Sequence, residues 1–204
     1  MFETLFSFVL ATAALAISPG PDNIYVLTQS LVNGKKYGLA TVFGLISGCI
    51  IHTTLLAFGV SAILKKSETL FFVIKLLGAI YLLYLAFKVY QSDATILVSE
   101  KVEKKTTHQL FKQGFIMNIL NPKVTLFFLA FFPGFLFTNE VSEVVQFYIL
   151  GLLFMLTSLL IFSAIAILAS TISTHLKKNT NIGLYLKWLQ ILVFFGISLF
   201  ILIS

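Results

Sequence analysis

The sequence predicts an all-α integral membrane protein: six transmembrane helices in two inverted three-helix repeats, with spans 1 and 4 broken by proline. Three observations lead there. Of 204 residues, 58% are hydrophobic and only 11% charged, against about 25% charged in an ordinary soluble domain. The apolar residues fall into six runs, each long enough to supply the roughly 20 residues that a bilayer-crossing helix needs. Two of those runs, one in each half, carry proline breaks near their middles, Ser18-Pro19-Gly20-Pro21-Asp22 and Asn121-Pro122-Lys123.

The spans follow in order. Span 1 is expected at Thr4 to Leu31, interrupted at Ser18 to Asp22. Span 2 runs from Tyr37 to Leu64, with His52 as its one ionisable side chain. Span 3 covers Thr69 to Tyr90, with Lys75 near its start and Lys88 near its end. Span 4 runs from Phe111 to Phe137, broken at Asn121-Pro122. Span 5 is expected from Glu143 to Thr174. Span 6 covers Ile182 to Ile203, opening on Tyr185, Lys187 and Trp188, residues suited to the headgroup region. The whole reads as a single membrane domain over 1–204, with repeat one at 1–90, a polar linker at 91–109 and repeat two at 110–204.

Charge sets the orientation. The net charge is +6 and every basic residue is Lys. The lysines sit in short loops, which points to membrane orientation and not to nucleic acid. Loops 1–2, 3–4 and 5–6 with their flanks hold Lys35, Lys36, Lys88, Lys101, Lys104, Lys105, Lys112, Lys177, Lys178 and Lys187, whereas the opposite side holds Lys65, Lys66 and Lys75. The Lys-rich side is expected to be cytoplasmic, which places both termini outside. Three spans per half then make the second half enter from the side opposite the first, as in an inverted repeat. The first residues carry Glu3 and no basic residue, so no cleaved signal peptide is expected.

The breaks concentrate the chemistry. Proline lacks an N–H and clashes with the carbonyl one turn back. A restarted helix exposes unpaired N–H groups and a partial positive charge, a ready site for a carboxylate. Asn121 followed by Pro122 reads as an N-cap and first helical residue, and Ser18 followed by Pro19 can be read the same way. Asp22 and Lys123 follow at equivalent offsets. A charge at that depth costs at least ~2.5–3.5 kcal/mol unless it has a partner or a wet cavity. A zwitterionic solute would suit the pair, its carboxylate at the half-helix ends and Lys123 and its ammonium at Asp22. Asp22 could also exchange a proton. The alternative reading makes Asp22 a cap of its own half-helix and Lys123 its ion partner. The candidate substrate-binding set is Ser18, Pro19, Gly20, Pro21, Asp22, Asn23, Asn118, Asn121, Pro122 and Lys123, and the proton-coupling candidates are Asp22 and His52.

Several features carry a plainer reading beside the functional one. Gly44 and Gly48 form a G-x-x-x-G with His52 on the same face, read as packing inside the subunit and not as a dimer seam. His52 is either a proton relay or an interior hydrogen-bonding group. Asn118 and Asn23 either touch solute or satisfy freed backbone groups. Lys75 is expected to snorkel. Phe127, Phe128, Phe131 and Phe132 are expected in the core or against lipid. Cys49 is the single cysteine, so no thiol pair exists for redox chemistry. No H-E-x-x-H occurs, and Asp22 is the one acid well inside a span. These points set an intramembrane redox enzyme or other enzyme behind a transporter, with a small-ion or metal exporter of similar architecture as the nearer alternative. No metal site and no cofactor is expected.

The motifs resemble those of the lysine exporter (LysE/RhtB) family of amino-acid efflux proteins. The resemblance rests on Ser18-Pro19-Gly20-Pro21-Asp22, on Gly34 to Gly48 leading into His52, and on Lys75-Leu76-Leu77-Gly78-Ala79-Ile80-Tyr81-Leu82. It rests further on Gln113-Gly114-Phe115, Asn118 and Asn121-Pro122-Lys123. It is close from Thr4 to about Phe137, and length and span count agree to the end. It implies export of amino acids or derivatives from a bacterial cytoplasm, driven by the proton motive force, by a multi-pass protein of the bacterial inner membrane. Pro19, Gly20, Pro21, Asp22, Asn121, Pro122 and Lys123 are its signature positions. The partners implied are a small-molecule amino-acid substrate and the lipid bilayer; homo-oligomerisation stays open.

Overall fold

Asp22 and Asn121, ninety-nine positions apart in the chain, are joined by a hydrogen bond, and the helices are arranged around that meeting point. A computed structural model of the chain describes residues 1–93, 104–178 and 181–203. Residues 94–103, the middle of the expected linker, lie outside the described residues. Helices account for nearly all of the rest, and no strand occurs among the described residues.

The first span is two helices. Helix α1 (Phe2–Ile17) carries Glu3 in its first turn, where an acid offsets the helix dipole. It ends because Pro19 and Pro21 remove the next N–H donors. Helix α2 (Pro21–Asn33) restarts with Pro21 at its first position and extended Gly20 as N-cap. Ser18 closes α1 and does not cap α2, so the reading of Ser18-Pro19 as cap and first residue is corrected. Two prolines competed for one role, and the second starts the helix because nothing after it interrupts the ladder. The halves meet at 60°. Gly34, at φ 99°, is the one described residue in the left-handed region; a Cβ would be strained there, and its use turns the chain directly into the next helix.

Span 2 is α3 (Lys35–Leu55), a π-helical stretch over Leu56–Val60 and α4 (Ser61–Lys66). Span 3 is α5 (Glu68–Gln91), capped by Ser67 Oγ, which accepts from the Leu70 N–H at 3.1 Å. Helix α6 (Thr107–Ile119) begins inside the segment read as linker, because Thr106 and Gln109 form a reciprocal capping box. Helix α7 (Pro122–Phe131) has Asn121 as N-cap and Pro122 first, as expected, and runs into a 3-10 turn over Phe132–Phe135. It meets α6 at 49°.

Span 5 is shorter than expected. Helix α8 (Glu143–Ile167) ends at Leu168, and a separate helix α9 (Ala169–Lys178) follows. Ser170, Thr171, Ser173 and Thr174 give α9 a polar side, whereas α8 is apolar nearly all round. Helix α10 (Asn181–Ile203) is the sixth span. Four helical stretches are long and apolar enough to cross a membrane alone, and the two bent pairs, each taken as one span, bring the number to six.

Small residues let the helices close on one another. In a bilayer such contacts replace the hydrophobic drive that lipid removes. Gly44 and Gly48 of α3 face α6, and Gly114 of α6 faces α3 in return. A Cβ on Gly44 would run into the Phe111 carbonyl, and one on Gly114 into the Thr41 carbonyl. The G-x-x-x-G is therefore an internal seam. On the other side of α7, Gly78 of α5 admits Ala130. Phe127, Phe128, Phe131 and Phe132 are buried against Phe8 of α1 and Phe154 of α8, with Phe128 and Phe132 stacked at 4.1 Å. They are core and do not face lipid. Buried Gln146 of α8 holds the preceding loop, accepting from the Phe137 N–H and donating to the carbonyls of Thr138 and Val141. Lys187 donates to the Ser92 carbonyl at 2.7 Å and ties α10 to the end of α5. Lys75 extends back along α5 over the Phe71 ring, toward the start of the helix.

Gly114→Ala should cost about 1–3 kcal/mol by forcing α3 and α6 apart. Gly196→Ala, whose Cβ would meet nothing within 4 Å, should leave stability unchanged or raise it. Thermal melting of the two detergent-purified variants checks both outcomes.

Candidate functional site

Each break leaves carbonyls without their helical donors, and each is repaired by a side chain. At the first, Asn23 donates through Nδ2 to the Ala16 carbonyl at 2.7 Å. At the second, Pro122 cannot supply the N–H that the Asn118 carbonyl would take from it in a continuous helix. His52 Nε2 donates to that carbonyl at 3.1 Å, from α3, and the Asn121 N–H bonds it as well at 3.1 Å. His52 is buried and its ring lies beside Phe128. It fills the place of a missing backbone donor.

Asn121 links the two restarts. Its Oδ1 accepts from the Lys123 N–H at 3.0 Å, which caps α7, and its Nδ2 donates to Asp22 Oδ2 at 2.7 Å. Pro21 and Pro122 are both first helical residues, and Asp22 and Lys123 both second. The expected equivalence of offsets thus holds with Gly20 and Asn121 as the paired N-caps. Lys123 Nζ stands 5.1 Å from the Phe194 ring centroid of α10, and a Cβ on Gly20 would lie 3.7 Å from it. The positive ends of two half-helices, one carboxylate and one amine are collected in one place.

Two hollows adjoin this junction. A vestibule of about 400 Å³ is bordered by Gly20, Pro21, Asn121, Pro122 and Lys123 from the breaks, and by Tyr81, Lys88, Ser92, Gln190 and Phe194 from α5 and α10. A much smaller cavity, about 30 Å³, is bordered by Asp22, Asn23, Cys49, Asn118, Lys123 and Ser158 among others. Lys123 borders both. Cys49 Sγ donates to Asn118 Oδ1 at 3.7 Å within that smaller cavity. Pro19 lies apart from both and lines an apolar groove against α8 and α9, while Ser18 is fully buried.

Gly20, Pro21, Asp22, Asn23, Asn118, Asn121, Pro122 and Lys123 are therefore brought together. Ser18, Pro19 and His52 border neither hollow. Tyr81, Gln190, Phe194 and Ser158 were not singled out from the sequence. Tyr81 lies within the Lys75–Leu82 motif, and Gln190 is a lone amide in the apolar run of α10; both were visible signals. Among the described residues, no group of three or more His, Cys, Asp and Glu side chains gathers as metal ligands would.

If His52 serves the backbone, His52→Ala should lower stability by about 1–3 kcal/mol through the lost bond and the space left beside Phe128. His52→Gln should recover part of that. Thermal melting of both variants in detergent checks the loss and its partial recovery.

Comparison with known proteins agrees in kind. The LysE type translocator family matches residues 13–203. A homoserine/homoserine lactone efflux protein of Salmonella typhimurium is 28% identical over 176 residues, covering 86% of this chain and 85% of the relative. The protein of that name in Salmonella typhi matches to the same extent. An uncharacterized membrane protein of Pseudomonas aeruginosa is 28% identical over 186 residues, covering 87% of this chain and 85% of its own length. No solved structure matches the chain.

Proposed function

The chain belongs to the LysE type translocator family, whose members are transporters and not enzymes, and from that premise we propose that it exports amino acids or their derivatives from the bacterial cytoplasm. The observation that carries the proposal is the meeting of the two broken spans, with Asn121 bonded to Asp22 and Lys123 beside Gly20. Broken helices with ionisable groups at depth are costly, and transporters place them where solute and coupling ion bind. The names of the relatives in Salmonella typhimurium and Salmonella typhi point to homoserine-type solutes for those proteins, which is the substrate class to test first.

In this reading the solute's carboxylate is met by Lys123 and the two half-helix ends, and Asp22 carries the proton that couples export to the proton motive force. The Lys-rich loops face the cytoplasm, and both termini lie outside. The halves 1–90 and 110–204 are read as inverted repeats, a reading supported by the packing of α3 on α8 and of α5 on α10, which pairs spans 2 with 5 and 3 with 6.

Cells that express the protein should release a subset of a labelled amino-acid panel, homoserine and threonine included, faster than cells without it, and an uncoupler should abolish the difference. Asp22→Asn should reduce gradient-driven efflux to the level of cells lacking the protein. Full activity in that variant would remove the proton role, and no difference for any solute would remove the exporter reading.

A further inference from the structure

The apolar groove that Pro19 lines runs from the first break to the end of α8. It holds about 370 Å³. Ile17 and Pro19 border it at the break, Leu168 and Ile172 where α8 gives way to α9, and Leu186 of α10 lines it as well. Ile161, Ala164, Ile165 and Leu168 form its α8 wall, spaced i, i+3, i+4 and i+7 on one helix face. Seven residues of helix rise about 10 Å, and one leaflet of a roughly 30 Å hydrocarbon core is about 15 Å deep. The groove therefore has the depth of a single leaflet. Its flank is open: Ile17 is 48% exposed and Leu168 51%. The lining is aliphatic apart from Asn23, whose Nδ2 is taken by the Ala16 carbonyl. Such a lining suits a hydrocarbon chain and not water, which needs two to four polar partners.

Helix α9 marks the headgroup end. Its Ser170, Thr171, Thr174 and His175 are exposed, whereas Ala169 is buried and Ile172 lines the groove. That two-sided pattern is the one a helix lying in the membrane interface shows. It packs on α2, whose end leads through Gly34 to the exposed Lys35 and Lys36. His175, Lys177 and Lys178 close α9, and the sequence holds no Asp or Glu over 23–67 or 144–204. The segments that border this end of the groove thus carry charge of one sign. Basic residues beside a span attract anionic lipid.

We propose that the groove binds one anionic phospholipid, with an acyl chain lying along α8 down to the first break and the headgroup held by the basic residues at the end of α9 and the α2–α3 turn. The chain then braces the 60° bend between α1 and α2 from the lipid side. The site stands whatever solute the protein moves.

The protein, purified in detergent and stripped of lipid, is titrated with dioleoyl phosphatidylglycerol or dioleoyl phosphatidylcholine and read by native mass spectrometry. One phosphatidylglycerol should bind per monomer at least about tenfold more tightly than phosphatidylcholine. Ala164→Trp, which fills the groove from an exposed position, should weaken phosphatidylglycerol binding about tenfold or more. Leu192→Trp, exposed on α10 and outside the groove, should leave it unchanged. Lys35→Gln, Lys36→Gln, Lys177→Gln and Lys178→Gln combined should bring the two lipids within about twofold of each other. On the unaltered protein, phosphatidylglycerol with a photoreactive diazirine at the end of one chain should label the deep end of the groove, at Ile17, Ile24 and Ile161. Equal binding of the two lipids, unchanged binding in Ala164→Trp, or label confined to the exposed faces of α5 and α10 overturns the inference. So does assembly of a protein dimer in place of the lipid complex.

Discussion

The hydrogen bond from Asn121 to Asp22 is the contact on which the architecture turns. It spans the two halves of the chain, joins the two places where helices stop, and involves a carboxylate that the bilayer would otherwise penalise by at least ~2.5–3.5 kcal/mol. One amide does two tasks. Its oxygen caps α7, and its nitrogen holds Asp22. The residue that caps the restarted helix of the second break thus also holds the acid of the first.

Around that contact the governing constraint is backbone satisfaction. No water reaches the hydrocarbon to pair freed carbonyls, so the protein supplies donors. Asn23 serves the first break from the other half of the same span, whereas His52 serves the second from a neighbouring helix. The second arrangement is possible because Gly44, Gly48 and Gly114 draw α3 onto α6 until His52 reaches the Asn118 carbonyl. Helix packing and the site are thus one problem: the glycines set the distance that the imidazole spans. The aromatic core on α7 then fixes the direction in which that half-helix leaves the junction.

Much of this was legible in the sequence because proline is a strong local signal. Pro19, Pro21 and Pro122 announce interruptions whatever packs around them, and the spacing of Gly44, Gly48 and His52 marks one face of one helix. What failed, failed for physical reasons. Two prolines in the first break offered two starting points, and only the ladder after Pro21 decides between them. The end of α8 at Leu168 carries no proline or glycine, and the residues that follow stay uncharged to Thr174. The α-to-π change at Leu56–Val60 has no local signature. The capping box of Thr106 and Gln109 was within reach of a sequence reading, yet the charge of the surrounding segment masked it. The vestibule wall is harder still, because Tyr81, Gln190 and Phe194 come together only through the packing of α5 on α10, and no spacing in the chain reports that contact.

A double-mutant cycle on Asp22→Ala and Asn121→Ala, read as unfolding free energy in detergent, tests the central contact most directly. Partners in contact should couple by about 0.5–3 kcal/mol, the double variant losing less than the two single losses combined. Strict additivity within about 0.5 kcal/mol would mean that the two breaks do not meet through these side chains, and the account of the junction would fail.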